Sequence, residues 1–82
     1  MKLIKFQADW CGPCHAVTPV VAKIVVDHNL ELEVVDIDAQ PKVAEQYGVS
    51  SIPAIILEKE GVELARHIGA APKPVIEKSL GL

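Results

Sequence analysis

The sequence predicts an α/β fold: a four-stranded mixed sheet in the order βαβαββα, with helices on both faces. Three observations carry that prediction. Short apolar runs of β-branched or alternating character are interleaved with segments whose apolar residues recur at helical spacing. The first two run-then-helix units follow each other directly, which is the order of an open sheet with a parallel pair. The last two runs are separated by Lys59-Glu60-Gly61, a short turn that makes them an antiparallel hairpin.

Residues 2–8 form the first strand, with Ile4, Phe6 and Ala8 on one face and Leu3, Lys5 and Gln7 on the other. Residues 12–28 form the first helix; Val17, Val20, Val21, Ile24 and Val25 make its buried stripe, Asn29 is its expected C-cap, and Pro19 is expected to kink it. Its β-branched composition makes it a poor isolated helix, so packing must hold it. The second strand covers residues 30–37, where Leu30, Leu32 and Val34 alternate with Glu31 and Glu33. A helical connection makes strands one and two parallel, with a right-handed crossover.

A short helix covers residues 41–47, with Pro41 in its first turn and Gly48 just past its end. Strands at residues 53–58 and 62–68 make the hairpin. The closing helix, residues 72–80, is expected to turn Val75, Ile76 and Leu80 toward the sheet.

Composition bounds the function. With 82 residues, half of them hydrophobic, the chain makes one domain whose core is feasible but near the lower size limit for unaided folding. A net charge of −3 with dispersed basic residues gives no footprint for nucleic acid or another polyanion. No apolar run is long enough to span a bilayer, so no membrane partner is expected. Met1 leads straight into a strand carrying Lys2 and Lys5, without the apolar core of a signal peptide, and a cytoplasmic location is the expectation.

The chemistry-bearing stretch is Cys11-Gly12-Pro13-Cys14, placed where the first strand gives way to the first helix. The opening turn of a helix presents unpaired N–H groups and a positive dipole end, both of which favour a thiolate. Residues three apart on such a turn can close to a disulfide with little backbone movement. Pro13 stiffens the turn at no cost in helical hydrogen bonds, and Gly12 keeps bulk away from the sulfur. Spacing alone leaves three readings open: a redox pair, half of a zinc site, or two inert buried thiols. A zinc site needs about four ligands, yet the chain has no further cysteine, and His15, His28 and His67 fall outside any ligand spacing. An inert buried pair is not expected at a helix N-terminus flanked by Asp9 and Trp10. The context therefore favours dithiol redox chemistry and no metal.

Ala8-Asp9-Trp10-Cys11-Gly12-Pro13-Cys14, with Pro19 beyond it, resembles the active-site segment of the thioredoxin family. Residues Tyr47-Gly48-Val49-Ser50-Ser51-Ile52-Pro53-Ala54 resemble that family's second signature, and Gly61 and Gly69 match its later glycines. The resemblance runs from about Leu3 to the C-terminus. It implies a single thioredoxin-like domain over residues 1–82 without the usual N-terminal strand and helix, similar to the minimal fold shared with glutaredoxins. It further implies a protein thiol-disulfide oxidoreductase, with Cys11 as nucleophile and Cys14 as the resolving thiol. Trp10 would form an apolar rim beside Cys11. A cis bond from Ile52 to Pro53 would keep that loop near the sulfurs, with backbone groups free to pair with an extended substrate.

No cofactor is implied beyond the Cys11–Cys14 pair itself, recharged by an NADPH-linked thioredoxin reductase or a similar enzyme. Partners are substrate proteins with disulfides, and a monomer is the default, with a weak dimer left open by the thin sheet edge. A glutaredoxin-like reductase recycled by glutathione is the alternative within redox chemistry, although the Trp10-Cys11-Gly12-Pro13-Cys14 surround differs from the tyrosine-containing motif typical of that group. A binding subunit with a dispensable dithiol is the alternative from another class.

Two positions depart from the resemblance. Lys5 occupies the place of the family's buried carboxylate, six residues before the first cysteine, and Val34 supplies no swapped partner. Lys5 is expected to reach solvent along its aliphatic stem; held neutral it could accept a proton, and charged it could stabilise a thiolate. His15 stands where lysine or arginine is frequent and either tunes the Cys11 thiolate or is a plain exposed residue. His28 and His67 are expected at the surface, and Asp36 and Asp38 at a solvated strand end.

Overall fold

The computed structural model describes residues 1–82. In chain order the elements are β1 (Lys2–Gln7), α1 (Gly12–Asp27), β2 (Glu31–Asp36), α2 (Pro41–Gln46), β3 (Ala54–Lys59), β4 (Val62–Ile68) and α3 (Lys73–Leu80). The sheet order is β2-β1-β3-β4, with β1 parallel to β2 and antiparallel to β3, and β3 antiparallel to β4. The predicted four-stranded βαβαββα architecture is the observed one.

β1 is central and buried on both faces, which is why its apolar residues run almost without interruption. Leu3 faces α1 and α3, where it packs with Ile55 and Leu57 against Val17, Val21, Ile24, Ile76 and Leu80. Ile4 and Phe6 face the other way and pack with Val35, Ala54 and Ile56 against Ala44 of α2. The Phe6 and Tyr47 rings lie 5.4 Å apart in a tilted arrangement. Fully burying one such aliphatic side chain is worth roughly 1.5–3 kcal/mol, so these two small cores hold the sheet.

Two expectations about element faces and ends are corrected, and the alternation of β2 is given its direction. β2 is the edge of the sheet, so Leu32 and Val34 are 42% and 49% exposed, while Val35 on the other face is fully buried. On α3, Ile76 and Leu80 are buried one turn apart, and Val75, off that stripe, is exposed. The C-cap of α1 is His28; Asn29 follows it at φ 52°, and its N–H and that of Leu30 donate to the carbonyls of Val26 and Val25. That double bond pattern places the left-handed residue just past the cap, so the helix ends one residue earlier than the sequence spacing suggests. α1 itself continues through Pro19.

The hairpin turn consists of Glu60 and Gly61, both at positive φ, between the paired residues Lys59 and Val62. Such a turn matches the twist of the flanking strands.

Candidate active site

The chain leaves β1 through Ala8, Asp9 and Trp10 and enters α1 at Cys11, whose N–H donates to the Ala8 carbonyl at 3.1 Å. Cys11 is the N-cap of α1, in extended backbone, and its Sγ accepts the N–H of Cys14 at 3.2 Å. The sulfur thereby occupies the position that a serine or aspartate oxygen takes in other helix caps. Cys11 and Cys14 are joined as a disulfide, with Cα atoms 5.3 Å apart.

Ala8, Cys11 and Cys14 form a small buried cluster against which Ile37 and Ile52 pack. Ile52 precedes a cis bond to Pro53, as the resemblance implied, and Pro53 is itself buried. The Pro53 carbonyl accepts the Gly69 N–H at 2.8 Å, fixing the loop before β3 to the end of β4. Gly12 and Pro13 face solvent, and a Cβ built on Gly12 would meet nothing within 4 Å.

Trp10 is 70% exposed, which makes it a rim rather than core residue, and its Nε1–H donates to Asp38 Oδ2 at 2.8 Å. Asp38 is thus tied to the active-site turn, while Asp36 Oδ1 accepts the N–H groups of Asp38 and Ala39. The strand end is solvated as expected, and Asp38 there also braces the tryptophan. His15 is exposed and its Nε2–H donates to the Asp9 carbonyl at 2.7 Å, closing the turn from the helix side.

Lys5 does not reach solvent: it is 2% exposed, and this corrects the sequence expectation. Its Nζ donates to Gln7 Oε1 and to Thr18 Oγ1, each at 2.6 Å, and the Thr18 hydroxyl donates to the Cys14 carbonyl at 3.1 Å. Burial lowers the Lys5 pKa, because the charged form loses its hydration. Val34 lies beside Lys5 in the β1–β2 register and supplies no carboxylate, as expected. His67 also departs from a surface role: its Nε2 is buried and without a hydrogen-bond partner. His28 is only partly exposed and bonds Glu77.

Sequence reasoning missed Gln7, Thr18 and Asp38 as supports of the site. For Thr18 a signal was present, since it lies four residues after Cys14 and hence one turn below it. No group of three or more His, Cys, Asp or Glu side chains is arranged to hold a metal ion.

The family model described as thioredoxin matches residues 1–81. The thioredoxin of Chlamydia trachomatis is 46% identical over 79 residues, covering 95% of this chain and 78% of that protein. Thioredoxin 1 of Synechococcus elongatus is 40% identical over 80 residues, covering 95% of this chain and 75% of that protein. Among solved structures, mitochondrial thioredoxin 3 of Saccharomyces cerevisiae superposes with a TM-score of 0.86 at 29% identity, over 99% of this chain and 77% of that one. Thioredoxin 1 of Thermosipho africanus shares the fold with a TM-score of 0.88 at 23% identity, over 99% of this chain and 91% of that one. The chain therefore belongs to the thioredoxin family, and it is a thiol-disulfide oxidoreductase that works by dithiol-disulfide exchange through Cys11 and Cys14.

Proposed function

We propose that the chain reduces disulfides of substrate proteins with Cys11 as the attacking thiolate and Cys14 as the resolving thiol. The observation that carries this order is the Cys11 sulfur at the N-cap of α1, accepting the Cys14 N–H. A thiolate there gains a charge-assisted hydrogen bond and sits at the positive end of the helix dipole. Cys14 lies inside the first turn and is 1% exposed against 5% for Cys11, so it is the less accessible to a protein substrate.

In the first half-reaction the Cys11 thiolate attacks one sulfur of the substrate disulfide. An S–S bond to Cys11 forms, the substrate bond breaks, and the departing sulfur takes up a proton. Cys14 then gives up its proton and attacks Cys11, expelling the second substrate thiol. Two electrons have moved to the substrate, and the intramolecular disulfide remains. A dithiol donor, supplied by an NADPH-linked thioredoxin reductase, reopens it by the same exchange in reverse. Trp10, Gly12, Pro13 and the Ile52-Pro53 segment form the surface a substrate strand lies on. We place this monomeric electron carrier in the cytoplasm, where the reducing environment keeps such a pair turning over.

The test is reduction of insulin with NADPH and a thioredoxin reductase. Cys11→Ser abolishes it, whereas Cys14→Ser accumulates a mixed disulfide at Cys11. Trapping at Cys14 instead reverses the assigned order, and turnover that needs glutathione and its reductase moves the recycling step to the glutaredoxin type.

A further inference from the structure

Two charge-bearing side chains are buried, Lys5 and Glu58. Glu58 accepts the Tyr47 hydroxyl proton at 2.7 Å and lies 3.7 Å from Lys2 Nζ. Lys5 has no such partner: none of the ion pairs of the molecule includes it. Its surroundings are largely neutral. In its row across the sheet stand Val34, Ile55 and then His67. Asp36 registers beside Gln7, but one of its oxygens is held by the N–H groups of Asp38 and Ala39. From α1 the facing groups are Thr18 and, through it, Cys14. Of the charges of α3, Lys73 and Glu77 are engaged with Asp27 and His28 at the opposite end of α1, and Lys78 is exposed.

We propose that Lys5 couples reduction of the Cys11–Cys14 disulfide to uptake of a proton, being a neutral amine beneath the disulfide and an ammonium beneath the thiolate. The inference rests on the exchange chemistry of that pair. A neutral amine has two N–H groups and one lone pair. Gln7 Oε1 and Thr18 Oγ1 accept two N–H groups, and the Thr18 proton is already committed to the Cys14 carbonyl. An ammonium adds a third N–H and a charge, neither of which finds a partner while the sulfurs are bonded to each other. Burial, which lowers the Lys5 pKa, acts in the same direction.

Reduction alters the balance. Two electrons from a dithiol donor, itself oxidised to a disulfide, break the Cys11–Cys14 bond. Cys11 remains as a thiolate, Cys14 takes one proton, and Lys5 takes a second. The new anion stands at the N-terminus of the helix that Lys5 touches and supplies the countercharge the ammonium lacked. Reoxidation returns both protons. Lys5 acts through charge and through Thr18, and so is a positioning residue rather than a catalytic one.

The deciding measurement is the pH titration of the Lys5 Cε resonance by NMR in the chemically oxidised and chemically reduced chain. Lys5 is expected to titrate at higher pH in the reduced form; equal midpoints overturn the proposal. Lys5→Met provides a second readout in a site that tolerates an apolar chain. Its thiolate absorbance should appear at higher pH, and its equilibrium with glutathione should move about tenfold toward the disulfide, a potential about 30 mV more reducing. A variant whose thiolate titration and exchange equilibrium match the parent reduces Lys5 to a packing role and overturns the proposal. Failure of the parent chain to exchange disulfides at all would instead strike the proposed function, and the NMR comparison would still decide the ionisation of Lys5.

Discussion

His28 Nε2 lies 2.6 Å from Glu77 Oε2, so the residue that caps α1 is bonded directly to α3. Lys73 reinforces the junction, 2.9 Å from Asp27 and 3.2 Å from Glu77. The two helices are 49 residues apart at this contact, and the clamp holds the end of α1 opposite the dithiol.

The clamp makes stability depend on acid. His28, then Lys73, hold the Glu77 carboxyl below its usual 4.5. A depressed carboxylate contributes stability that is present above its unfolded pKa and lost as pH falls through its lower folded value. Glu77→Gln is therefore expected to melt at a lower temperature at pH 7 and to lose less stability on acidification than the parent. Thermal melts from neutral to acid pH check this; parallel curves for the two proteins contradict it.

Lys5 makes the oxidised protein respond with the same sign, but towards alkaline rather than acid pH. Between its lowered folded pKa and the ordinary 10.5, the unfolded chain binds a proton that the folded chain does not. Stability then rises with pH across that window. Lys5→Met lacks the rise and, by replacing a buried ionisable group with an apolar one, is expected to be the more stable protein near neutrality. Denaturant titrations at neutral and alkaline pH measure both effects.

Ile55 and Leu32 face the same side of the sheet, yet the first is fully buried and the second 42% exposed. Ile55→Ala is expected to cost about 2–5 kcal/mol through the cavity it leaves. Leu32→Ala should change stability by no more than about 0.5 kcal/mol. Comparable losses at both sites would mean that the β2 edge is covered.

Asn29 at φ 52° predicts a third kind of response. Asn29→Gly should be neutral or slightly stabilising, and Asn29→Val should cost about 1–2 kcal/mol, because a branched Cβ is crowded in the left-handed region. Chemical denaturation of the pair of variants is the check.

The element order, the dithiol at the strand-to-helix junction and the cis bond before Pro53 were all legible in the sequence. They depend on local pattern or on motifs carried within a few residues. What escaped depends on the layers around a side chain. Lys5 has the stem length to reach water, and only the lie of α1 over β1, with Thr18 13 residues away in sequence, seals it in. The alternation in β2 separates two faces, but it does not say which of them a helix covers. The brace between Trp10 and Asp38 spans 28 residues and has no local signature.

The position of β2 at the end of the sheet has one more effect. Its backbone offers hydrogen-bonding groups outward, and a second copy laid alongside would extend the sheet. Glu31 and Glu33 project from one side of this ribbon and Leu32 and Val34 from the other. An antiparallel match of two such ribbons crowds four carboxylates along a single line, and at neutral pH their repulsion opposes the apolar gain on the reverse side. Glu33 also pairs with Lys2 at 2.9 Å, and a charged edge of this kind opposes the zipping together of neighbouring molecules in concentrated solution.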